Sequence, residues 1–177
     1  MSSSEAPRFI VDINAGKLAR WLRMMGYDTI LYGHGDDHHL VRSALDQKRT
    51  IITRDTQIMK RRIITSGRLR ALLVTGDTPA QQMRQVMEQL RLCVNFKPFS
   101  LCLDCNQPLE ERTRESVADR VPPYVFRTQY QFVECPSCHR IYWKGTHWEA
   151  MVRRLETFMH DNIRPGDRPD AGQGETD

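Results

Sequence analysis

Several aspartates in this sequence stand where a predicted strand ends and a helix follows. Asp12 follows the apolar run FIV, Asp55 follows TIITR, and Asp77 follows RLRALLVTG. Asp36 and Asp37 open a predicted helix. Like charges that lie close together repel one another, so a group of carboxylates at one place implies a bound cation. Hard oxygen ligands favour Mg²⁺ or Mn²⁺, and such ions activate water for phosphodiester hydrolysis.

Each aspartate except Asp12 also has a simpler interpretation. Asp55, and either Asp36 or Asp37, can cap the helix that follows by accepting a backbone N–H. Asp77 lies in TGDTP, which is typical of a turn. Asp12 needs no cap role because Asn14 is available to the next helix. The ligand interpretation therefore depends on whether these strand ends meet.

Four of the five cysteines form two C-x-x-C pairs, Cys102 with Cys105 and Cys135 with Cys138. In a chain that shows no secretion signal, such pairs favour a metal site over disulfides. They can hold one Zn²⁺ tetrahedrally, and a closed four-thiolate site is structural because it leaves no position for water. The gap between the pairs is 29 residues, longer than the usual range of about 15 to 20. We therefore predict an inserted hairpin or loop around DRVPPYVF.

Basic residues recur beside both groups of candidate ligands. Lys17, Arg20 and Arg23 fall at three-residue spacing on the helix after Asp12. This spacing predicts either a solvated helix face or a stripe that holds nucleic-acid phosphates. Lys144 lies in IYWKGTHW, whose aromatic and basic residues can stack bases and contact phosphate. The same aromatic residues can instead pack this segment onto the main domain.

Alternating strands and helices would position these residues. Strands are predicted at 8–13, 28–33, 50–53 and 68–77, each followed by a helix, with the third helix running from Asp55 to about Ile64. This order predicts an α/β fold with a mostly parallel sheet covered by helices on both faces. Ligands of such sheets bind outside the carboxyl ends of the strands. The aspartates should therefore share one edge.

Charge and composition favour a globular protein with a polyanionic partner. The chain has 177 residues, 40% of them hydrophobic, with 26 Lys and Arg against 22 Asp and Glu. Without the tail 161–177, whose net charge is −3, and without Glu5, residues 8–160 carry a net charge of +8. Such a surplus suits nucleic acid. No apolar window approaches the roughly 18 residues of a membrane span, and we expect a cytoplasmic location.

Several motifs together resemble the Mut-seven C-terminal RNase domain family, a branch of the PIN-like nucleases with a C-terminal zinc ribbon. They are FIVDINAGKLARWLRMMGYDT, DDHHLVRSAL, IITRD, CLDCNQPLE, DRVPP and CPSCHRIYWKGTHW, within about 8–151. The resemblance implies a PIN-like parallel sheet flanked by helices, a small zinc ribbon and metal-dependent ribonuclease activity. We expect a flexible N-terminus at 1–7, the nuclease domain at 8–99, the ribbon with a C-terminal helix at 100–160 and a disordered acidic tail at 161–177.

The resemblance also implies which aspartates are catalytic. Asp12, Asp37 and Asp55 match the acids that end the first strand, lie on a following helix and follow a later strand in a T-x-D setting. Asp37 is preferred to Asp36 because the D-x-x-[LI] pattern starts there. Asp77 is the weakest candidate, as a fourth ligand. This chain departs from the family where it reads DINAGKLARWLR, since the family commonly has Met-Leu before the glycine.

Two functions from different classes follow. In the first, the protein is a ribonuclease whose aspartates hold Mg²⁺ or Mn²⁺, and Arg54 either neutralises the RNA phosphate or pairs with a neighbouring acid. In the second, it binds RNA through its basic helix and ribbon, and the acidic edge is vestigial. A toxin-like nuclease held by an antitoxin is a third hypothesis, which the additional ribbon disfavours.

Overall fold

The computed structural model describes residues 6–33, 35–92 and 100–160, apart from the side chains of residues 147, 154–156 and 158–160. The predicted domain boundary near residue 99 and the predicted tail lie outside the described residues, as does most of the predicted flexible N-terminus.

A parallel sheet of four strands forms the centre of the first part of the chain. The strands are β1 (Phe9–Asp12), β2 (Thr29–Tyr32), β3 (Thr50–Thr53) and β4 (Ala71–Leu73), in the order β2-β1-β3-β4. All three pairings are parallel. The central strands β1 and β3 are apolar on both faces because helices cover both, as parallel sheets require. The predicted α/β fold is confirmed.

The helices divide between the two faces according to the alternation of side chains along the strands. They are α1 (Gly16–Met24), α2 (Asp37–Asp46), α3 (Thr56–Met59), α4 (Arg62–Thr65) and α5 (Pro79–Leu90). Val11 and Ile52 pack with the buried residues of α1 and α5. Ile10 and Ile51 point the other way and pack with α2 and α3. Successive residues of a strand thus serve opposite cores.

Two predicted elements differ from the structure. The single helix expected after Asp55 is two short helices, α3 and α4, which are separated by residues 60 and 61. The fourth strand ends at Leu73, well before Asp77. The last ladder contact there is the Val74 N–H, which donates to the Thr53 carbonyl. Beyond it, the Gln81 side chain accepts from the N–H groups of Asp77 and Thr78, so the chain turns into the capped start of α5.

The second part of the chain contains a small antiparallel sheet. Its strands are β5 (Glu110–Arg112), β6 (Phe132–Glu134) and β7 (Ile141–Trp143), in that spatial order. The insertion between the cysteine pairs is not a simple hairpin or loop, because it contains β5 and α6 (Pro123–Thr128). The α6 side chains pack over Phe132. A last helix, α7 (Thr146–His160), follows β7, and no helix among the described residues is long and apolar enough to cross a membrane.

Candidate active edge and metal centre

The carboxyl ends of β1 to β4 form an edge that we call the acidic edge, with Asp12, Asp36, Asp37, Asp55 and Asp77. Asp12 ends β1, and Asp55 follows the neighbouring central strand β3. The N-termini of α1, α2, α3 and α5 point toward the same edge, because each helix follows a strand of the sheet. Helix N-termini carry partial positive charge, which favours anions there.

Thr53 links the two central aspartates. Its Oγ1 donates to Asp12 Oδ2 at 3.1 Å and accepts from the backbone N–H of Asp55 at 2.9 Å. Thr53 is fully buried and Asp12 is 9% exposed. Asn14 Nδ2 donates to the same Asp12 Oδ2 at 3.2 Å. Both side-chain hydrogen bonds described for Asp12 therefore end on Oδ2, and neither engages Oδ1.

Sequence reasoning did not count Thr53 as a site residue. The signal was present, because the IITRD motif places a threonine two residues before Asp55. Its importance depends on the register, in which Val11 stands beside Ile52 and therefore brings Asp12 next to Thr53. Only the pairing of β1 with β3 reveals the contact.

Asp36 and Asp37 have different local roles. Asp36 caps α2, since its Oδ1 accepts from the His39 N–H at 2.9 Å. That hydrogen bond is the main reason why the pKa of the Asp36 carboxyl is lowered. Asp37 instead pairs with Arg61, whose Nη2 lies 3.4 Å from its Oδ2. This division leaves Asp37 without a capping role and favours it over Asp36 as a ligand.

Asp55 and Asp77 differ in how closely they are held. Asp55 Oδ1 accepts from the Gln57 N–H at 2.7 Å, so the predicted helix cap is present. Its other oxygen remains for a second role. Asp77 is exposed and lies beyond the end of β4. Its separation from the strand ends weakens its case as a fourth ligand.

The protein alone does not gather the aspartates into one ligand set. Among the described residues, the four cysteines form the only group of three or more His, Cys, Asp or Glu side chains placed to hold a metal ion. The carboxylates at the acidic edge have donor chemistry that suits Mg²⁺ or Mn²⁺. Asp12, Asp36, Asp37 and Asp55 are each engaged in a separate contact, however, and Arg61 supplies the positive charge beside Asp37.

The predicted basic stripe on α1 is divided between two surroundings. Lys17 is exposed in the first turn, near the acidic edge. Arg20 is directed to the cysteine-containing segment, where its Nη1 lies 3.3 Å from Asp104 Oδ1. Arg23 is only 5% exposed, so its assignment as a contact to RNA phosphate does not agree with the structure.

Backbone carbonyls hold Arg23 in its buried position. Its Nε donates to the Thr29 carbonyl at 2.8 Å, and its Nη1 donates to the carbonyls of Leu103 and Asp104 at 2.7 and 2.9 Å. Burial lowers the pKa of the Arg23 guanidinium. The helix face that carries Arg23 therefore meets the first cysteine pair, and spacing alone could not distinguish that face from a solvated one.

The other predicted phosphate contacts, Arg54 and Lys144, directly follow strands of different sheets of the fold. Arg54 is exposed between Thr53 and Asp55, directly on the acidic edge. Lys144 is exposed just after β7, and its Nζ lies 5.9 Å from the centre of the Trp148 ring. Arg54 is therefore placed to act beside the aspartates, whereas Lys144 belongs to the surface of the small sheet.

The four cysteines form a compact group that we call the thiol cluster: Cys102, Cys105, Cys135 and Cys138. Their sulfur atoms all lie within 4.8 Å of one another, and those of Cys102 and Cys138 are 3.7 Å apart. Tetrahedral zinc with bonds of about 2.3 Å places its sulfur ligands about 3.8 Å apart. The donor set and its spacing therefore fit Zn²⁺, as the sequence predicts.

The two cysteine pairs have the same backbone fold. The Cys102 carbonyl accepts from the Asn106 N–H, and the Cys135 carbonyl accepts from the His139 N–H, both at 2.9 Å. Asn106 and His139 both adopt left-handed backbone conformations, with φ of 62° and 56°. In each pair the N–H of the second cysteine points to the sulfur of the first. Local hydrogen bonds therefore place two sulfur atoms per pair.

A cation is needed to keep four sulfur atoms this close and ionised. Hydrogen bonding with Cys138, together with burial, raises the pKa of the Cys105 thiol to about 12. The Tyr142 hydroxyl lies 3.1 Å from the Cys102 sulfur and donates to it when the sulfur is a thiolate. Such outer hydrogen bonds stabilise and orient metal ligands. Metal binding, which displaces thiol protons, agrees with this arrangement.

The first cysteine pair docks on the amino ends of the strands, at the opposite edge of the sheet from the aspartates. The Thr29 N–H donates to Asn106 Oδ1 at 2.8 Å, and the Asn106 amide donates to Asp28. Arg49 binds both oxygens of Asp28 at 2.8 and 2.9 Å. Burial opposes ionisation of Asp28, but these hydrogen bonds prevail and lower its pKa.

An ion-pair network supports the second cysteine pair. Glu134 is 4% exposed. It forms ion pairs with Arg120 and Arg112, with N–O distances of 2.6 and 2.8 Å. Hydrogen bonds from these two arginines lower the pKa of Glu134 to about 2. Since Glu134 directly precedes Cys135, the network fixes the strand that delivers this cysteine. Its role is structural.

Comparison with known proteins gives one match. A family model described as the Mut7-C RNAse domain matches residues 7–155, which include the acidic edge and the thiol cluster. No curated protein and no solved structure gave a significant match.

Proposed function

Because the chain belongs to the Mut7-C RNAse domain family, we propose that it is a metal-dependent ribonuclease that hydrolyses RNA phosphodiester bonds at the acidic edge. The observation that carries this proposal is the Thr53 hydroxyl, which joins Asp12 to the backbone of Asp55 across the two central strands. A buried threonine that orients one carboxylate and fixes the start of the next is a positioning device. The role of Asp55 as a helix cap does not require the hydrogen bond from Thr53 to Asp12.

Asp12, Asp37 and Asp55 would hold Mg²⁺ or Mn²⁺, as in PIN-like nucleases, and such an ion, when bound, supplies an activated water and neutralises charge on the phosphate. Thr53 and Asn14 both engage Asp12 Oδ2, so they orient the carboxylate with Oδ1 directed elsewhere. Asp55 retains one oxygen beyond its cap. Asp77 is proposed only as an additional ligand.

Basic residues at the same edge would bind the RNA strand. Arg54 lies between Thr53 and Asp55 and is exposed, so its guanidinium is suited to contact the scissile phosphate. Lys17 lies in the first turn of α1 and can contact a neighbouring phosphate. Arg61, which pairs with Asp37, would release that carboxylate to the ion or turn to the phosphate. Zn²⁺ in the thiol cluster would have a structural role only.

The proposal is tested by cleavage of a mixed pool of single-stranded RNA with Mn²⁺. Replacing Asp12→Asn or Asp55→Asn keeps side-chain size and should lower the rate at least about 100-fold, because each removes a charge needed for metal binding. Asp46→Asn is the matched control, since Asp46 is exposed at the far end of α2, and it should cleave like the wild type. Wild-type cleavage by Asp12→Asn would overturn the proposal.

A second candidate function is RNA binding without turnover. It is favoured by the observation that the aspartates do not form a ligand group among the described residues. The metal content distinguishes the two functions. A protein that retains zinc, binds RNA and shows no cleavage with Mg²⁺ or Mn²⁺ across several RNA types would be a binding protein.

A further inference from the structure

A cavity lies beside the thiol cluster, away from the acidic edge. Its volume is about 500 Å³, and its walls come from α1, the first cysteine pair, α6, β7 and α7. Leucine, isoleucine, valine and methionine side chains form much of the wall. Four aromatic residues also line it, namely Tyr124, Tyr142, Trp143 and Trp148. We call it the aromatic cavity.

The charged residues that line the aromatic cavity are of one sign. Arg20 and Arg140 are the only charged side chains among its described lining residues, and no carboxylate lines it. Both arginines also contact Asp104, which lies outside the lining. Lys144 adds a cation next to Trp143, with its Nζ over the Trp148 ring. Flat aromatic faces with a cationic rim suit a ligand that has both a planar ring and an anionic group.

The wall that carries Tyr124 is held in place. Tyr124 lies in α6 and is 69% exposed. The Arg114 guanidinium donates twice to the Phe126 carbonyl, at 2.6 and 3.0 Å, and lies 4.4 Å from the centre of the Phe126 ring. Trp143, which also lines the cavity, packs against the small core of Val117, Val121 and Phe132. The aromatic faces are therefore supported from behind, which lowers the entropy cost of stacking a ligand on them.

Helix α1 connects this cavity with the acidic edge. The helix starts at Gly16, beside the aspartates, and reaches the cavity at Arg20 and Met24. Nine residues of helix span about 13 Å. Lys17 and Arg20 are both exposed along this path, Lys17 in the first turn and Arg20 at the middle of the helix. An RNA strand lying along α1 could therefore reach both places at once.

We propose that the aromatic cavity binds an unpaired nucleobase of single-stranded RNA, outside the bond that is cleaved. Arg20 and Arg140 stay 55% and 56% exposed despite their contacts with Asp104, so both can still meet a phosphate. A free phosphate alone would not account for four aromatic residues. A nucleotide accounts for both, because bases stack on aromatic rings while phosphates contact arginine. That the nucleic acid is RNA rests on the proposed function.

The test measures binding of a fluorescently labelled single-stranded RNA of about ten nucleotides, within the site sizes of roughly 4–16 nucleotides found for such proteins. The zinc-loaded full chain carries Asp12→Asn, so that the probe is not consumed. Tyr124→Ala and Trp148→Ala should each weaken binding about 5- to 150-fold, because one stacked base contributes about 1–3 kcal/mol. A probe of equal length and charge without bases should bind more weakly, and Tyr124→Ala should not weaken it further.

Tyr130→Ala is the matched control. Tyr130 is 71% exposed, close to the 69% of Tyr124. Its ring lies against Arg114, and it does not line the cavity. This variant should bind within about twofold of its parent. If Tyr124→Ala and Tyr130→Ala behave alike, or if the base-free probe binds as well as RNA, the proposal is wrong. Zinc content of each variant verifies folding, and Tyr124 is exposed enough to replace without loss of the core.

The outcome is separable from the proposed hydrolysis. Binding is measured without added Mg²⁺ or Mn²⁺, so a protein that never cleaves RNA can still show the loss at Tyr124. Conversely, a ribonuclease whose Tyr124→Ala variant binds normally would retain its proposed function and lose this second site.

Discussion

The thiol cluster and the acidic edge are two possible metal sites built in different ways. Each half of the thiol cluster comes from one short segment, and hydrogen bonds within that segment place its two sulfur atoms. The acidic edge takes its residues from separate strands and helices, and Asp12, Asp37 and Asp55 contact different partners. The first site is therefore complete in the protein alone. The second has its residues at one edge but not gathered into one ligand group.

The difference also concerns charge. The thiols must lose protons before they can bind a metal. Hydrogen bonding with Cys138 and burial raise the pKa of Cys105, whereas burial of Cys102 is outweighed by hydrogen bonds, chiefly from Tyr142, that lower its pKa. The carboxylates of the acidic edge have protein donors, such as the N–H of Gln57 and the guanidinium of Arg61. The protein itself therefore supplies partners for these carboxylates, whereas four ionised sulfur atoms this close together need a cation.

The largest expected effect follows from replacing a buried cysteine. Cys102→Ser or Cys135→Ser should abolish stoichiometric zinc binding and unfold the small sheet, since structural zinc contributes about 10–16 kcal/mol in small domains. Zinc per chain and near-ultraviolet circular dichroism measure this. Cys93→Ser, at the one cysteine outside the two C-x-x-C pairs, is the control and should keep one zinc. Equal zinc loss in all three variants would refute the four-cysteine site.

The next effect tests whether the two regions form one folded unit. Arg23→Met leaves the Leu103 and Asp104 carbonyls without this donor in a buried position, so the free energy of unfolding should fall by about 3 kcal/mol. Urea titration of the zinc-loaded protein measures it. Arg20→Met, at a side chain that is 55% exposed, should cost less than about 1 kcal/mol. Equal costs would mean that Arg23 does not hold the regions together.

A smaller effect concerns the geometry of the acidic edge. Thr53→Val removes the hydroxyl between Asp12 and Asp55 and should raise the Mn²⁺ concentration needed for half-maximal cleavage by about 10-fold, as loss of a ligand's hydrogen-bond partner does elsewhere. Thr50→Val, at the other end of β3, is the control and should leave this concentration unchanged. An unchanged requirement in Thr53→Val would remove the positioning role.

The smallest effect concerns the contact between the sheet and the first cysteine pair. Asp28→Asn should lower the free energy of unfolding by about 1 kcal/mol at pH 7, because it weakens a partly exposed ion pair with Arg49. Since the folded pKa of Asp28 is lowered, its contribution is fully present above the unfolded pKa of about 3.9 and is lost as pH falls from there through the folded pKa. The difference between wild type and variant should therefore shrink from pH 7 to pH 3.5.

Asp46→Asn serves as the control for that pH dependence. Asp46 is exposed and pairs with Arg42 at 3.8 Å, so its replacement should change unfolding little at either pH. A difference for Asp28→Asn that stays constant between the two pH values would contradict the role of its charge.

Much of the fold could be predicted from the sequence, because its signals are local. The alternation of apolar strands with periodic helices predicts the parallel sheet, and two C-x-x-C pairs predict the thiol cluster. Boundaries were less predictable. The prediction that β4 extends to Asp77 was wrong, because Gln81 binds the backbone there. The prediction of a single helix after Asp55 was also wrong, because the helix is interrupted at residues 60 and 61.

By itself the sequence determined which chemical groups are present and on which elements they lie. It placed Asp12 at the end of β1, Asp55 before α3, and the four thiols in two pairs, because each depends on neighbours within a few residues. Only the tertiary structure decided that Arg23 is buried against Leu103 and Asp104, which lie 80 and 81 positions further along the chain. It also decided that Thr53 touches Asp12, 41 positions away. Helix spacing fixes a face but not what covers it, and strand pairing is fixed by the packing of the whole sheet.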